Sequence, residues 1–142
     1  MSSIIVWASL QGCALDRAAV RSDSQEQIML HEAAQRYWDS LRWGFFDEAA
    51  LVIEDEGART LYQRELEASQ QRWRLTEAEV LRVKVIVPPE DEQPDAQGRW
   101  RTGTVLTRTE GYTFPAQIVR VEDREQQWYR TTDGWWLERA AD

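Results

Sequence analysis

The sequence predicts an α+β domain, with helices in its first half packed on an antiparallel β-meander in its second. Three observations carry that prediction. Apolar residues recur at helical spacing from Ile28 to Leu41, the period changes to two beyond Trp73, and Asp133-Gly134 separates two aromatic runs near the end. A chain of 142 residues, 42% of them hydrophobic and 11% aromatic, can bury one core and hardly two.

The first twelve residues carry no charged side chain and include the apolar run Ile4-Ile5-Val6-Trp7-Ala8-Ser9-Leu10. The run is far short of the ~20 residues that span a bilayer, and it suits the apolar part of an export signal. Leu10-Gln11-Gly12-Cys13 then resembles a bacterial lipobox, in which cleavage after a small residue leaves a cysteine whose thiol takes a diacylglycerol. The resemblance implies a signal segment over 1–12, a lipid anchor on Cys13, a flexible tether over 13–23 and a single domain over 24–142. Ala14 in place of Asp implies the periplasmic face of the outer membrane. The same run also fits a first strand or helix in which Cys13 packs as a small hydrophobe, and the chain would then be cytoplasmic.

The capping-box patterns Asp23-x-x-Glu26 and Ser24-x-x-Gln27 predict a helix start near Ser24. Ile28, Leu30, Ala34, Tyr37, Trp38 and Leu41 make its apolar face, and Gly44 supplies the left-handed residue that closes it. Asp47 is expected to cap a short second helix. A third follows Gly57 to about Arg72, with Leu61, Tyr62, Leu66 and Ser69 turned inward. Leu81, Val83, Val85 and Val87 then alternate with polar positions as a half-buried strand. The acidic stretch 88–98, rich in proline and other turn formers, is a surface connection. A long strand is expected from Arg99 to about Phe114 and another through Ile118 and Arg120. After a turn at Asp123-Arg124, a last hairpin closes at Asp133-Gly134. Gly103 and Gly111 read as strand bulges.

Helix, Gly44-Phe45-Phe46-Asp47-Glu48-Ala49-Ala50, a third helix, and a meander closing with Trp128-Tyr129-Arg130-Thr131-Thr132-Asp133-Gly134-Trp135-Trp136-Leu137 together resemble the nuclear transport factor 2-like, cystatin-like cone. The likeness covers roughly residues 25 to 139. It implies a sheet curled around an interior, and the superfamily includes small enzymes, ligand-binding modules and accessory domains of envelope proteins. Enzymes of this fold place an acid, tyrosine or histidine inside the cone. The resemblance thus makes Asp39 or Asp47 with Tyr112 or Tyr129 the candidate acid-base set of a small isomerase, dehydratase or hydrolase.

Charge and residue counts narrow the function. With 25 acidic and 17 basic residues the net charge is −8, and the arginines are interleaved with acids, which disfavours a nucleic-acid partner. One cysteine and one histidine, His31, exclude a thiolate-rich or multi-histidine zinc site. Glu54-Asp55-Glu56 and Glu90-Asp91-Glu92 lack the spacing of a calcium loop. No phosphate-binding loop or nucleophile elbow occurs, so neither metal nor cofactor is expected. Eight tryptophans are the anomaly. Trp38 and Trp73 read as core, while Trp100, Trp128, Trp135 and Trp136 are candidates for contact with a ligand or partner. Trp135 and Trp136, being adjacent in a strand, must point to opposite faces. The expectation is a non-catalytic envelope lipoprotein domain binding a partner protein or a small apolar ligand, touching the membrane only through its anchor and able to form a homodimer.

Overall fold

The computed structural model describes residues 12–86, 99 and 101–139, with side chains from Ser24 onward. Trp100 and the acidic loop 88–98 lie outside the described residues, as do the apolar run before Gln11 and the thiol of Cys13. Three helices precede a four-stranded sheet: α1 (Gly12–Trp43), α2 (Phe46–Ala49), a 3-10 turn (Ala50–Val52), α3 (Glu56–Gln70), β1 (Trp73–Ile86), β2 (Arg101–Thr113), β3 (Val119–Thr131) and β4 (Gly134–Leu137). The sheet is an antiparallel meander in the order β1-β2-β3-β4, with α1 laid across one face. The predicted α+β architecture is therefore present. No described helix is long and apolar enough to cross a membrane.

Several boundaries differ from the sequence expectation, each for a local reason. Helix α1 begins before Ser24, so its backbone is already helical through 13–23 and Ser24 lies within it. Glu26, expected in a cap, is instead spent on a tertiary contact described below. The helix does end at Gly44, whose φ is 76°. The Gly44 N–H donates to Leu41 at 3.2 Å and the Phe45 N–H to Ser40 at 2.8 Å, the paired bonds of a Schellman close. Asp47 sits within the first turn of α2 and caps nothing, whereas the Asp55 carboxylate accepts the Gly57 N–H at 3.0 Å and starts α3.

Strand β1 alternates, but not in one phase. Its pairing with β2 slips between Leu75 and Glu77 and again between Val80 and Arg82. Each slip adds one residue and flips the succeeding side chains, so Trp73 and Leu75, then Ala78 and Val80, then Val83 and Val85 face the helices. Leu81, expected inside, is thereby turned out and exposed. The bulges lie in β1, not at Gly103 and Gly111, which pair regularly within β2. Strand β3 runs unbroken through Asp123-Arg124, where a turn was expected. Asp123 stands opposite Arg108 of β2 and binds its guanidinium at 2.9 Å. An acid-base pair across strands supports extended backbone as well as it would a turn.

Candidate functional site

The helix-facing residues of β2 are Gly103, Val105, Thr107, Thr109 and Gly111, all buried. The two glycines mark two unlike ends. At Gly103, a Cβ would stand 2.3 Å from the tip of Leu30 and 3.2 Å from the Trp135 ring, so the missing side chain is what lets helix and tryptophan meet the strand. Trp128, wholly buried, pairs across from Gly103, and Trp135 and Leu137 are buried beside it. Glu26 of α1 fastens this end. Its carboxylate accepts the Arg130 guanidinium at 2.9 Å and the Trp135 indole N–H at 2.9 Å. This end is filled.

At Gly111 a Cβ would lie 2.6 Å from the Trp73 ring and 2.3 Å from the Arg74 carbonyl, so that glycine seats Trp73 flat against the strand. Between here and α1 the layers part. A cleft of about 510 Å3 opens to solvent, walled by Trp38, Leu41, Phe46, Leu66, Trp73 and Leu75 and edged on β3 by Arg124 and Gln126. Arg124 stacks its guanidinium 5.7 Å from the Trp73 ring centre and reaches Glu122 at 3.2 Å.

Tyr37 joins the two ends. It lines the cleft, meets Trp38 and Trp128 edge-on at 5.1 and 6.4 Å, and shares a 2.7 Å hydrogen bond with the Tyr62 hydroxyl of α3. Burial pushes the Tyr37 phenol well above its usual range, and the neighbouring Tyr62 oxygen adds to that. Burial raises Tyr62 as well. Both therefore stay protonated at neutral pH, as hydrogen-bonding groups rather than bases. Two further polar atoms of the cleft residues, Trp38 Nε1 and Gln126 Oε1, are buried with no partner among the described residues. An unsatisfied buried group costs about 1–3 kcal/mol, and these two lie behind the cleft wall, closed to solvent.

The candidate acid-base set does not assemble there. Asp39 is exposed on α1 and accepts a hydrogen bond from Gln35 of the same helix at 3.0 Å, and Asp47 is exposed on α2. Tyr112 and Tyr129 pair in register with β3 and β2 residues on the sheet's other face, Tyr112 against Phe114 and Tyr129 beneath Arg99. Burial raises the Tyr129 phenol, aided by Glu54. None of the four lines the cleft. Of the tryptophans, Trp128 and Trp135 fill the closed end. Trp136 faces the other way, half-buried, with its N–H on Thr131 at 2.8 Å. A second hollow of about 560 Å3 lies beside Trp135 and Trp136, lined by Met29, Leu51 and Val52 with Arg36, Glu48 and Asp133 among them. His31 is exposed, and no group of three or more metal-ligating side chains occurs among the described residues. Sequence reasoning placed Tyr37 and Trp38 on the inner face of α1 but missed Arg124 and Gln126, because the expected turn at Asp123-Arg124 hid the even-numbered alternation of β3.

With this geometry in view, one solved structure is informative. That of a SEC-C motif-containing protein from Rhodopseudomonas palustris superposes with a TM-score of 0.50 at 15% identity, covering 74% of this chain and 73% of that one. The likeness is one of fold alone. No protein-family profile and no curated protein sequence matches the chain.

Proposed function

We propose that this is a non-catalytic binding module of the cell envelope, anchored through Cys13, that takes a small and largely apolar ligand into the cleft between α1, α3 and the sheet. One observation carries the reading: Leu30 and Trp135 close the layers over Gly103, whereas over Gly111 the layers part into a cleft with aromatic walls. Pockets for small molecules are typically concave, with apolar walls and some converging polar groups, and this cleft pairs aromatic and aliphatic walls with a polar edge at Arg124, Glu125 and Gln126. The cone-shaped resemblance of the sequence fits the same role. An acid-base enzyme is disfavoured because Asp39, Asp47, Tyr112 and Tyr129 lie apart and away from the cleft.

The ligand half is tested with 8-anilinonaphthalene-1-sulfonate, whose fluorescence rises in apolar sites. The wild-type domain is expected to bind one equivalent, and Ser69→Trp, which fills the mouth from an exposed position on α3, is expected to abolish binding at unchanged melting temperature. Equal fluorescence in both proteins sinks the reading. The anchoring half is tested by mass spectrometry of protein from its native membrane, where a diacylated Cys13 amino terminus is expected and an intact Met1 in soluble extract refutes it.

A second reading, docking of a partner protein, is favoured by Ile118, Val119 and Val121, which are 52%, 64% and 59% exposed around the start of β3. If the partner is a second copy, light scattering gives twice the monomer mass and Val121→Glu halves it.

A further inference from the structure

Strand β1 is an edge of the sheet and runs for 14 residues. Part of that edge is already covered by a side chain. The Gln35 amide of α1 donates to the Ala78 carbonyl at 3.4 Å and accepts the Val80 N–H at 3.4 Å, as a neighbouring strand would. These bonds show that Ala78 and Val80 turn those groups away from β2, where they stand opposite Thr109 and Thr107. Such positions recur at every second residue of an antiparallel ladder. Val105 and Gly103 continue the series on β2, so their partners Val83 and Val85 also turn N–H and C=O to the free edge. No hydrogen bond among the described residues takes up those groups.

The side chains around Val83 define what can pair with it. On the helix side a hollow of about 470 Å3 opens between Val83 and Ser24, Gln27, Ile28 and His31 of α1, and Ile28 is 58% exposed. On the other face Arg82 and Lys84 are exposed, and their cross-strand neighbours on β2, Leu106 and Thr104, carry no charge. Neither cation is in an ion pair among the described residues. In a strand added here, the side chain opposite Val83 would point to the hollow and its two neighbours to the cations.

A second copy of the chain fits this stretch poorly. Two such edges paired about Val83 would set the same cations against each other, which is destabilising. The acid-apolar-acid run of β1 that would answer them, Glu77-Ala78-Glu79, lies between the two bulges with its edge held by Gln35. At 0.1 M salt, charges beyond about 10 Å are screened, so the two local cations outweigh the net charge of −8.

We infer that the free edge of β1 at Val83 accepts an extended segment of another protein with the alternation acid-apolar-acid. Its backbone exchanges hydrogen bonds with Val83, its apolar side chain enters the hollow beside Ile28, and its carboxylates pair with Arg82 and Lys84.

The test titrates the whole chain with two end-capped peptides, Thr-Thr-Glu-Val-Glu-Thr-Thr and Thr-Thr-Lys-Val-Lys-Thr-Thr. The glutamate peptide is expected to bind about tenfold more tightly, as two cross-strand pairs change from repulsive to attractive, and to slow hydrogen exchange at the Val83 N–H. Arg82→Glu combined with Lys84→Glu, both at exposed positions, is expected to invert the preference at unchanged melting temperature. Val83→Pro deletes an edge donor but no ladder bond to β2, and it is expected to abolish binding of both peptides. Absence of binding, equal binding of the two peptides, or a preference that survives the charge exchange overturns the site. A dimer by light scattering that Val83→Pro makes monomeric gives the edge to a second copy and overturns the peptide assignment. Dye binding in the cleft is independent of each of these outcomes.

Discussion

The two ends of the helix-facing layer start from the same device, a glycine in β2 with an aromatic ring laid over it, and end in opposite states. At Gly103 the ring is Trp135, a part-buried acid ties it down, and Trp128 and Leu30 pack against the same strand. At Gly111 the ring is Trp73, half-buried, and the space above it is a cleft. The difference lies in what the helix and β3 bring to each glycine. Leu30 and Trp128 converge on the first, whereas the second meets Arg124, which stays partly in solvent, and α1 has by then only Tyr37, Trp38 and Leu41 to offer. Stability should therefore concentrate at the closed end, and function at the open one.

The largest expected effect breaks the closed end. Trp128→Ala removes a wholly buried indole and should cost about 3–5 kcal/mol in urea denaturation, enough to leave the domain marginal. Trp73→Ala, at the open end, should cost roughly half as much, since its ring is already partly exposed. Similar losses for the two would mean that the core is shared evenly and that the division between filled and open ends is wrong.

Next comes the acid that holds the closed end. Glu26 and Arg130 have side chains only 14% and 15% exposed, and the carboxylate also serves Trp135. Glu26→Ala strands a guanidinium and an indole N–H, and a loss of about 3 kcal/mol is expected. The ion pair of Arg139 with Glu65, 33% and 46% exposed, is the control, and Glu65→Ala should change stability by less than about 0.5 kcal/mol. Thermal melts of the two variants make the comparison directly.

These residues show what was legible beforehand and what was not. The helix-then-meander order, the close at Gly44, and the opposite faces of Trp135 and Trp136 all follow from periods and turn chemistry that a single segment contains. Leu81 was misplaced because a bulge is a property of two paired strands, and the alternation of one strand cannot reveal a slip against its neighbour. Asp123-Arg124 looked like a turn because the same residues pair well across a ladder. Glu26 looked like a cap because its partners, Arg130 and Trp135, stand more than a hundred positions away. The cleft was legible only from its helix side, through Tyr37 and Trp38. Its β3 side depended on a register that the sequence leaves open.

The glycines give a sharper and smaller test. Gly111→Ala drives a methyl group against the Arg74 carbonyl, which belongs to the backbone of a paired strand and cannot swing aside. Gly103→Ala meets the tip of Leu30, which can rotate. Overpacking of this kind costs about 1–3 kcal/mol, and the Gly111 variant should fall at the upper end of that span. It should also tilt Trp73 and weaken dye binding, whereas Gly103→Ala should leave binding unchanged. If Gly103→Ala were the one to impair binding, the cleft would have to extend into the closed end.

The smallest effect belongs to the residue that joins the two halves. Tyr37 and Tyr62 hold their protons more tightly in the folded chain than in the unfolded one, because burial disfavours both phenolates. Their contribution is thus complete below about pH 10, where the unfolded phenols are still protonated, and it drains away as the pH rises beyond that, since the unfolded state then releases protons that the folded state retains. Tyr37→Phe removes one of the two phenols and leaves the other hydroxyl without its partner. At pH 7 the variant should lose only about 1 kcal/mol, the net value of a hydrogen bond. Between pH 9 and 11 its stability should fall less steeply than that of the wild type, so that the two curves converge. Urea denaturation across that range measures both slopes, and parallel curves would mean that the hydroxyl pair titrates as if in water, with the cleft reaching down to it.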